Sequence, residues 1–313
     1  MRLGISIFLI LVACDPAGLG RSNPHFRVIG HRGAPAVTAE NTIESFEVAL
    51  ALGANAIETD VCRTQDGTFV IFHDADPDSA VALARQGGAE SLAFVPSAPE
   101  LGSVWRRPVS QLTLEELRGH YGYAEPGSRR DTAARIPTVF EFLDWARTQP
   151  ELKWVYWDLK LGTKDEASAF MEQVSSRLLS SELDHVVWIF LHIDRDVVQE
   201  LKATRGRIRA DALRIAWDQE TPGALERSVA VGLRDVSTGL TPSHTYAGFK
   251  REVAELVEAR ERGELDSVTV WTFDDEMQLS ELLYYSVDGV MTNEPRRLHR
   301  IWQRTVLRAS PVQ

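Results

Sequence analysis

Only two cysteines, Cys14 and Cys62, occur in 313 residues, so no disulfide framework staples this chain. Lysine and arginine form no run and the net charge is -11, so the basic footprint of a nucleic-acid binder is missing. No apolar stretch reaches the ~20 residues that a membrane-spanning helix needs. No segment repeats at a period of about 20–50 residues, which excludes a solenoid or a propeller. The glycine-rich phosphate fingerprint of an open dinucleotide-binding sheet is absent too. What is present is 44% apolar and 25% charged residues, with 21 Gly and 14 Pro. Those fractions describe a globular chain, not a disordered, collagen-like or coiled-coil one.

The first residues read as a targeting segment. Arg2 precedes an 11-residue apolar run, 3–13, which suits the core of a signal peptide. The run ends in Leu11-Val12-Ala13-Cys14, which resembles the bacterial lipobox, in which the cysteine becomes a lipid-modified N-terminus. The expectation is a signal peptide over 1–13, lipidation at Cys14 and a polar tether over 14–25 with Pro16, Gly18, Gly20 and Pro24. Such a protein would be an exported bacterial lipoprotein, held by its lipid in the periplasm or on the outer face of the cell membrane.

Beyond the tether, nine apolar or β-branched runs alternate with helical stretches. The runs are 26–30, 56–61, 69–73, 154–160, 186–192, 212–216, 233–237, 267–273 and 289–292. Helical patterns are clearest over 42–52, 113–120, 139–148, 164–179, 249–262 and 277–285. The second and third runs are joined by too few residues for a parallel crossover, and Asp66-Gly67 is a turn signal, so they form a hairpin. Eight runs separated by helices remain, the count of a (β/α)8 TIM barrel. The barrel is expected over 26–300, with an insertion over its mouth at about 75–150 and a C-terminal tail over 301–313.

Chemistry-bearing residues fall at the ends of these runs, where barrel active sites are built. The first run ends in Gly30-His31-Arg32-Gly33, the second holds Glu58 and Asp60, the hairpin return ends in His73-Asp74, and the fourth holds Asp158 and Lys160. Residues i and i+2 of a strand share a face, so Glu58 points with Asp60 and Asp158 with Lys160. Two carboxylates crowded into an apolar barrel repel and lose hydration unless a cation lies between them. A hard divalent ion, Ca²⁺ or Mg²⁺, is the simplest compensation. His31 and His73 suit an acid/base pair. Arg32 and Lys160 supply fixed positive charge, which suits a phosphate.

Residues 28–74 resemble the N-terminal signature of the glycerophosphodiester phosphodiesterase family. The matching pieces are His31-Arg32-Gly33, Glu40-Asn41-Thr42, Gly53-Ala54, Ile57-Glu58-Thr59-Asp60-Val61, Asp66-Gly67 and His73-Asp74. Near the C-terminus, Val270-Trp271-Thr272-Phe273 and Gly289-Val290-Met291-Thr292-Asn293-Glu294-Pro295 resemble the family's closing strands. The resemblance implies a TIM barrel that hydrolyses glycerophosphodiesters with one divalent cation on Glu58, Asp60 and Asp158. It implies His31 and His73 as acid and base, Arg32 and Lys160 on the phosphate, and Trp271 against the glycerol. Asp158 stands where the family usually has Glu. The usual basic, Thr-rich segment after His73-Asp74 is missing, and His192 could add a polar group near the mouth. A lysophospholipase D-like or sphingomyelinase D-like hydrolase acting on lysolipids is the alternative, and a non-catalytic phosphate-ester-binding lipoprotein a remote third.

Overall fold

The computed structural model describes residues 25–90, 92–128 and 132–309. The signal peptide, Cys14 and nearly all of the tether lie outside these described residues. The chain opens with β1 (Arg27–His31), α1 (Ile43–Ala51), β2 (Ala56–Arg63) and β3 (Phe69–Ile71). An insertion follows with α2 (Ala80–Gln86), β4 (Val95–Ser97), α3 (Leu114–His120) and β5 (Gly122–Ala124). Next come α4 (Val139–Ala146), β6 (Trp154–Leu159), α5 (Lys164–Leu178), β7 (Val187–His192) and α6 (Arg195–Arg207). The chain then runs through β8 (Arg214–Gln219), α7 (Ala224–Ala230), β9 (Asp235–Gly239) and α8 (Tyr246–Glu261). It ends with β10 (Ser267–Trp271), α9 (Glu276–Tyr284), β11 (Gly289–Thr292) and α10 (Pro295–Ala309).

Strands β1, β2 and β6 to β11 pair in parallel, and β1 closes the ring on β2 through Gly30↔Ile57 and His31↔Glu58. This is the expected TIM barrel. Strand β3 returns antiparallel on β2, with Val61 opposite Ile71 and Arg63 opposite Phe69, as the hairpin reading requires. Side chains inside the ring alternate with those facing the helices. Ile29, Ala56, Tyr156, Ile189, Leu191, Ala216 and Met291 form the inner apolar cluster. The outward residues, among them Val28, Ile57, Trp157 and Phe190, join the helices in the main core. Stepping up by two from the inner cluster reaches His31, Glu58, Asp158, Asp218 and Asn293. Strand parity alone therefore aims these polar groups into the barrel mouth.

The structure redraws two boundaries. Helix α4 begins after a capping box, in which Thr138 accepts from the Glu141 backbone and Glu141 reaches back to the Thr138 N–H. Its Val139, Phe142, Leu143 and Ala146 pack into the main core, so α4 belongs to the barrel wall and the insertion stops before it, short of residue 150. The insertion has its own small core around Phe72, Val109, Leu117, Tyr121, Tyr123 and Ile136. At the other end α10 runs past residue 300, with Ile301 buried, so the wall continues beyond the expected end of the barrel. Among the described residues no helix is long and apolar enough to cross a membrane.

Candidate active site

A cavity of about 410 Å³ opens at the C-terminal ends of the strands, lined by His31, Glu58, His73, Asp158, Lys160 and Trp271 among others. Glu58, Asp60 and Asp158 place one carboxylate oxygen each within 4.8 Å of one another. The shorter Asp158 side chain thus still reaches the cluster. Burial, then the charges of Asp60 and Asp158, push the Glu58 carboxyl well above its usual range. For Asp60 burial acts the same way, yet Arg32, Lys160 and an Asn41 hydrogen bond outweigh it and hold the carboxyl low. Asn41 Nδ2 donates to Asp60 at 2.8 Å, and Thr59 donates to the Asn41 carbonyl oxygen at 2.9 Å.

The two expected phosphate-holding cations are heavily paired. Lys160 lies 2.5 Å from Asp158 and 3.5 Å from Asp60, and these charges raise its pKa against the effect of burial. Arg32 is buried and pairs with Glu40 at 3.1 Å, Asp60 at 3.2 Å and Glu90 at 3.2 Å. Its backbone takes φ 54°, a left-handed value that costs a non-glycine residue roughly 1–2 kcal/mol. The Arg32 N–H donates to Glu58 at 2.9 Å, an anchor for that carboxylate.

Each histidine is oriented by a partner at Nδ1. His31 Nδ1 meets Asn293 Oδ1 at 2.8 Å, and Asn293 Nδ2 donates to Asp274 at 2.7 Å. Because the amide nitrogen is committed to Asp274, Asn293 offers His31 an acceptor, leaving Nε2 as the free base, 3.9 Å from Glu58. His73 Nδ1 lies 2.6 Å from Asp74. Burial and then Arg32 push the His31 pKa down to about 4. Burial, with Arg32, Lys160 and Arg85, drives His73 well below its usual value. Both imidazoles are therefore neutral at neutral pH and able to accept a proton.

Trp271 closes another side of the cavity. Its Nε1 donates to Asp218 at 2.6 Å, and Ser237 donates to the same oxygen. A Cβ on Gly239 would sit 2.3 Å from the indole ring, so glycine is what lets the ring lie flat on β9. His192 does not reach the cavity. Its Nδ1 accepts from the Asp194 N–H at 2.8 Å and Nε2 lies 3.3 Å from the Leu161 carbonyl, so it orders the turn before α6.

The sequence reading assigns no role to Asp218, Asp274, Glu90 or Arg85. Asp218 was reachable by the same step of two from Ala216, but the run expected there stops at 216. Asn293 and Asp74 sit inside quoted motifs, yet only the fold shows that each faces a histidine.

A parallel barrel with three carboxylates, two neutral histidines and two cations at its C-terminal face defines a phosphoric diester hydrolase scaffold. The sequence profile of the glycerophosphoryl diester phosphodiesterase family matches residues 31–297, and the chain belongs to that family. A glycerophosphodiester phosphodiesterase of Bacillus altitudinis is 25% identical over 288 residues, covering 88% of this chain and 97% of that one. Against a domain-containing relative from Macaca fascicularis, 28% identical over 199 residues, the match covers 57% of this chain and only 29% of the relative. The fold matches a Parabacteroides distasonis glycerophosphodiester phosphodiesterase at a TM-score of 0.65 and 18% identity, covering 90% of this chain and 98% of that one. It also matches an Oleispira antarctica phosphodiesterase in complex with the product sn-glycerol-3-phosphate, at 0.64 and 17% identity, covering 87% and 95%.

Proposed function

We propose that this chain hydrolyses glycerophosphodiesters to a glycerol phosphate and an alcohol, with a divalent cation at Glu58, Asp60 and Asp158. The observation that carries the reading is the meeting of these three carboxylates at the cavity that Glu58, Asp158, His31, His73 and Lys160 line. The charge balance fits a cation. Among the described residues, Glu40, Asp60, Asp74, Glu90 and Asp158 pair with Arg32, Arg85 and Lys160, and Glu58 adds a sixth carboxylate to these three cations. Oxygen-only ligands favour Ca²⁺ or Mg²⁺. Such an ion supplies charge neutralisation at the phosphoryl oxygens.

The protein groups do the rest. Lys160 and Arg32 hold the phosphate, and Trp271 packs against the glycerol. One histidine takes the proton of the attacking hydroxyl, from water or the glycerol 2-hydroxyl, as the new P–O bond forms. The other, once it has taken up a proton from solvent, gives that proton to the departing alcohol as the old P–O bond breaks. A cyclic phosphate, where the glycerol hydroxyl attacks, is opened by water through the same pair in reverse. The apolar wall of Leu191, Ile193 and Met291 supports a second arm, lysolipids. The targeting pattern of residues 1–14 supports a lipid-anchored enzyme at the cell membrane.

The test is turnover of glycerophosphocholine against lysophosphatidylcholine, after chelation and after return of Ca²⁺ or Mg²⁺. Chelation is expected to abolish turnover and lower Tm, and cation return to restore both. Full activity in metal-free buffer would overturn the cation assignment.

A further inference from the structure

The insertion places an arginine in the site that no part of the proposed reaction uses. Arg85, on α2, is only 3% exposed. Its three nitrogens each find a different carboxylate. Nε donates to Asp74 at 3.0 Å, one terminal nitrogen pairs with Glu40 and the other with Glu90. Glu40 and Glu90 both also pair with Arg32. Asp74 Oδ1 receives Arg85 Nε–H and faces His73 Nδ1, while its buried Oδ2 has no hydrogen-bond partner.

We propose that Arg85 is a positioning residue for His73, acting through Asp74, and that α2 of the insertion exists in the site to deliver it. The proposal rests on the hydrolase reading only for its kinetic arm. Burial pushes the Asp74 carboxyl up to about 6, against the pull of Arg85, with Glu40 adding to the rise and Arg32 opposing it. With the guanidinium present the group is a carboxylate at neutral pH and accepts the His73 Nδ1 proton. Nε2 is then the free base that faces the cavity. Without the guanidinium a neutral carboxyl donates to Nδ1, the ring proton moves to Nε2, and the lone pair needed for proton abstraction is lost. An ammonium cannot reproduce this, because it lacks the planar fork that reaches three carboxylates at once.

The experiment combines Arg85→Lys, His73→Ala and the double variant with ¹⁵N spectra of the imidazoles. On glycerophosphocholine, Arg85→Lys is expected to lower kcat by about 10–100-fold, with KM within about 3-fold of the wild type. In the His73→Ala background it should cost less than about 2-fold, and in a Trp271→Ala background its full effect should return. General structural damage would lower turnover equally in both backgrounds, and that result would overturn the proposal. The spectra need no turnover. Wild-type His73, assigned by its loss in His73→Ala, should hold its proton on Nδ1, and Arg85→Lys should shift protons to Nε2. An unchanged tautomer overturns the proposal. A shifted tautomer in an enzyme that cleaves no diester sustains it and rejects the hydrolase reading instead. If Arg85→Lys does not fold, Arg85→Gln, which removes the positive charge from the same link, should reproduce both changes.

Discussion

Arg32 answers three carboxylates with one guanidinium, and one of them is replaceable. Glu40 and Asp60 are buried, but Glu90 is 35% exposed and lines the cavity where a phosphate would bind. Removing its charge with Glu90→Gln should tighten inorganic phosphate binding and lower KM for the diester by roughly 2–5-fold, the weight of one partly exposed ion pair. Phosphate titration and steady-state KM check this, and a raised KM would contradict it. The histidines carry larger effects. His31→Ala and His73→Ala should each lower turnover by roughly 10²–10⁴-fold with the fold intact, and the double variant should be little worse than the worse single one. A nitrophenyl diester, whose leaving group needs little protonation, should rescue only the variant that lost the acid. Near-native rates in both variants on a glycerophosphodiester would refute the pair.

At the scale of elements, β9 and β10 act together through one missing side chain. Gly239→Ala would drive a methyl into the Trp271 ring, and overpacking of this kind costs about 1–3 kcal/mol. The expected outcome is a modest drop in Tm and a raised KM, since the tilted indole no longer fits against the substrate, and kinetics with thermal melts test it. Strands β2 and β6 were legible because charged residues repeat at the strand period, Glu58 with Asp60 and Asp158 with Lys160, which fixes both the element and the face. Strand β8 was read two residues early, and its inward Asp218 fell beyond the expected end. Helix α6 was missed because only Val197, Val198, Leu201 and Thr204 turn inward among thirteen mostly polar residues. Arg85 was beyond reach for another reason. It pairs with Glu40 across 45 positions, and no local period records a contact between a helix of the insertion and the segment before α1.

For the whole molecule, the cluster at the mouth sets a pH dependence. Burial, then Asp158, pushes the Asp218 carboxyl up to about 7. Between its ordinary value near 4 and that value, the native state holds a proton that the unfolded chain has released. Asp218 therefore favours the fold less as pH rises through this window. In chelator, Asp218→Asn, whose amide oxygen still accepts from Ser237 and Trp271, should gain Tm relative to the wild type as pH rises from about 4 to about 7. A constant difference across that range would show that Asp218 does not titrate there. The alternation inside the barrel has its own consequence. The apolar floor and the charged rim are read from the same strands in the same phase. One residue added to β2 below Ile57 would turn both its carboxylates towards the helices and bring Ile57 and Thr59 inside. The same addition above Asp60 would leave the rim intact. Length changes in these strands thus act as an all-or-none switch on the ligand set, whereas length changes in the loops above them do not.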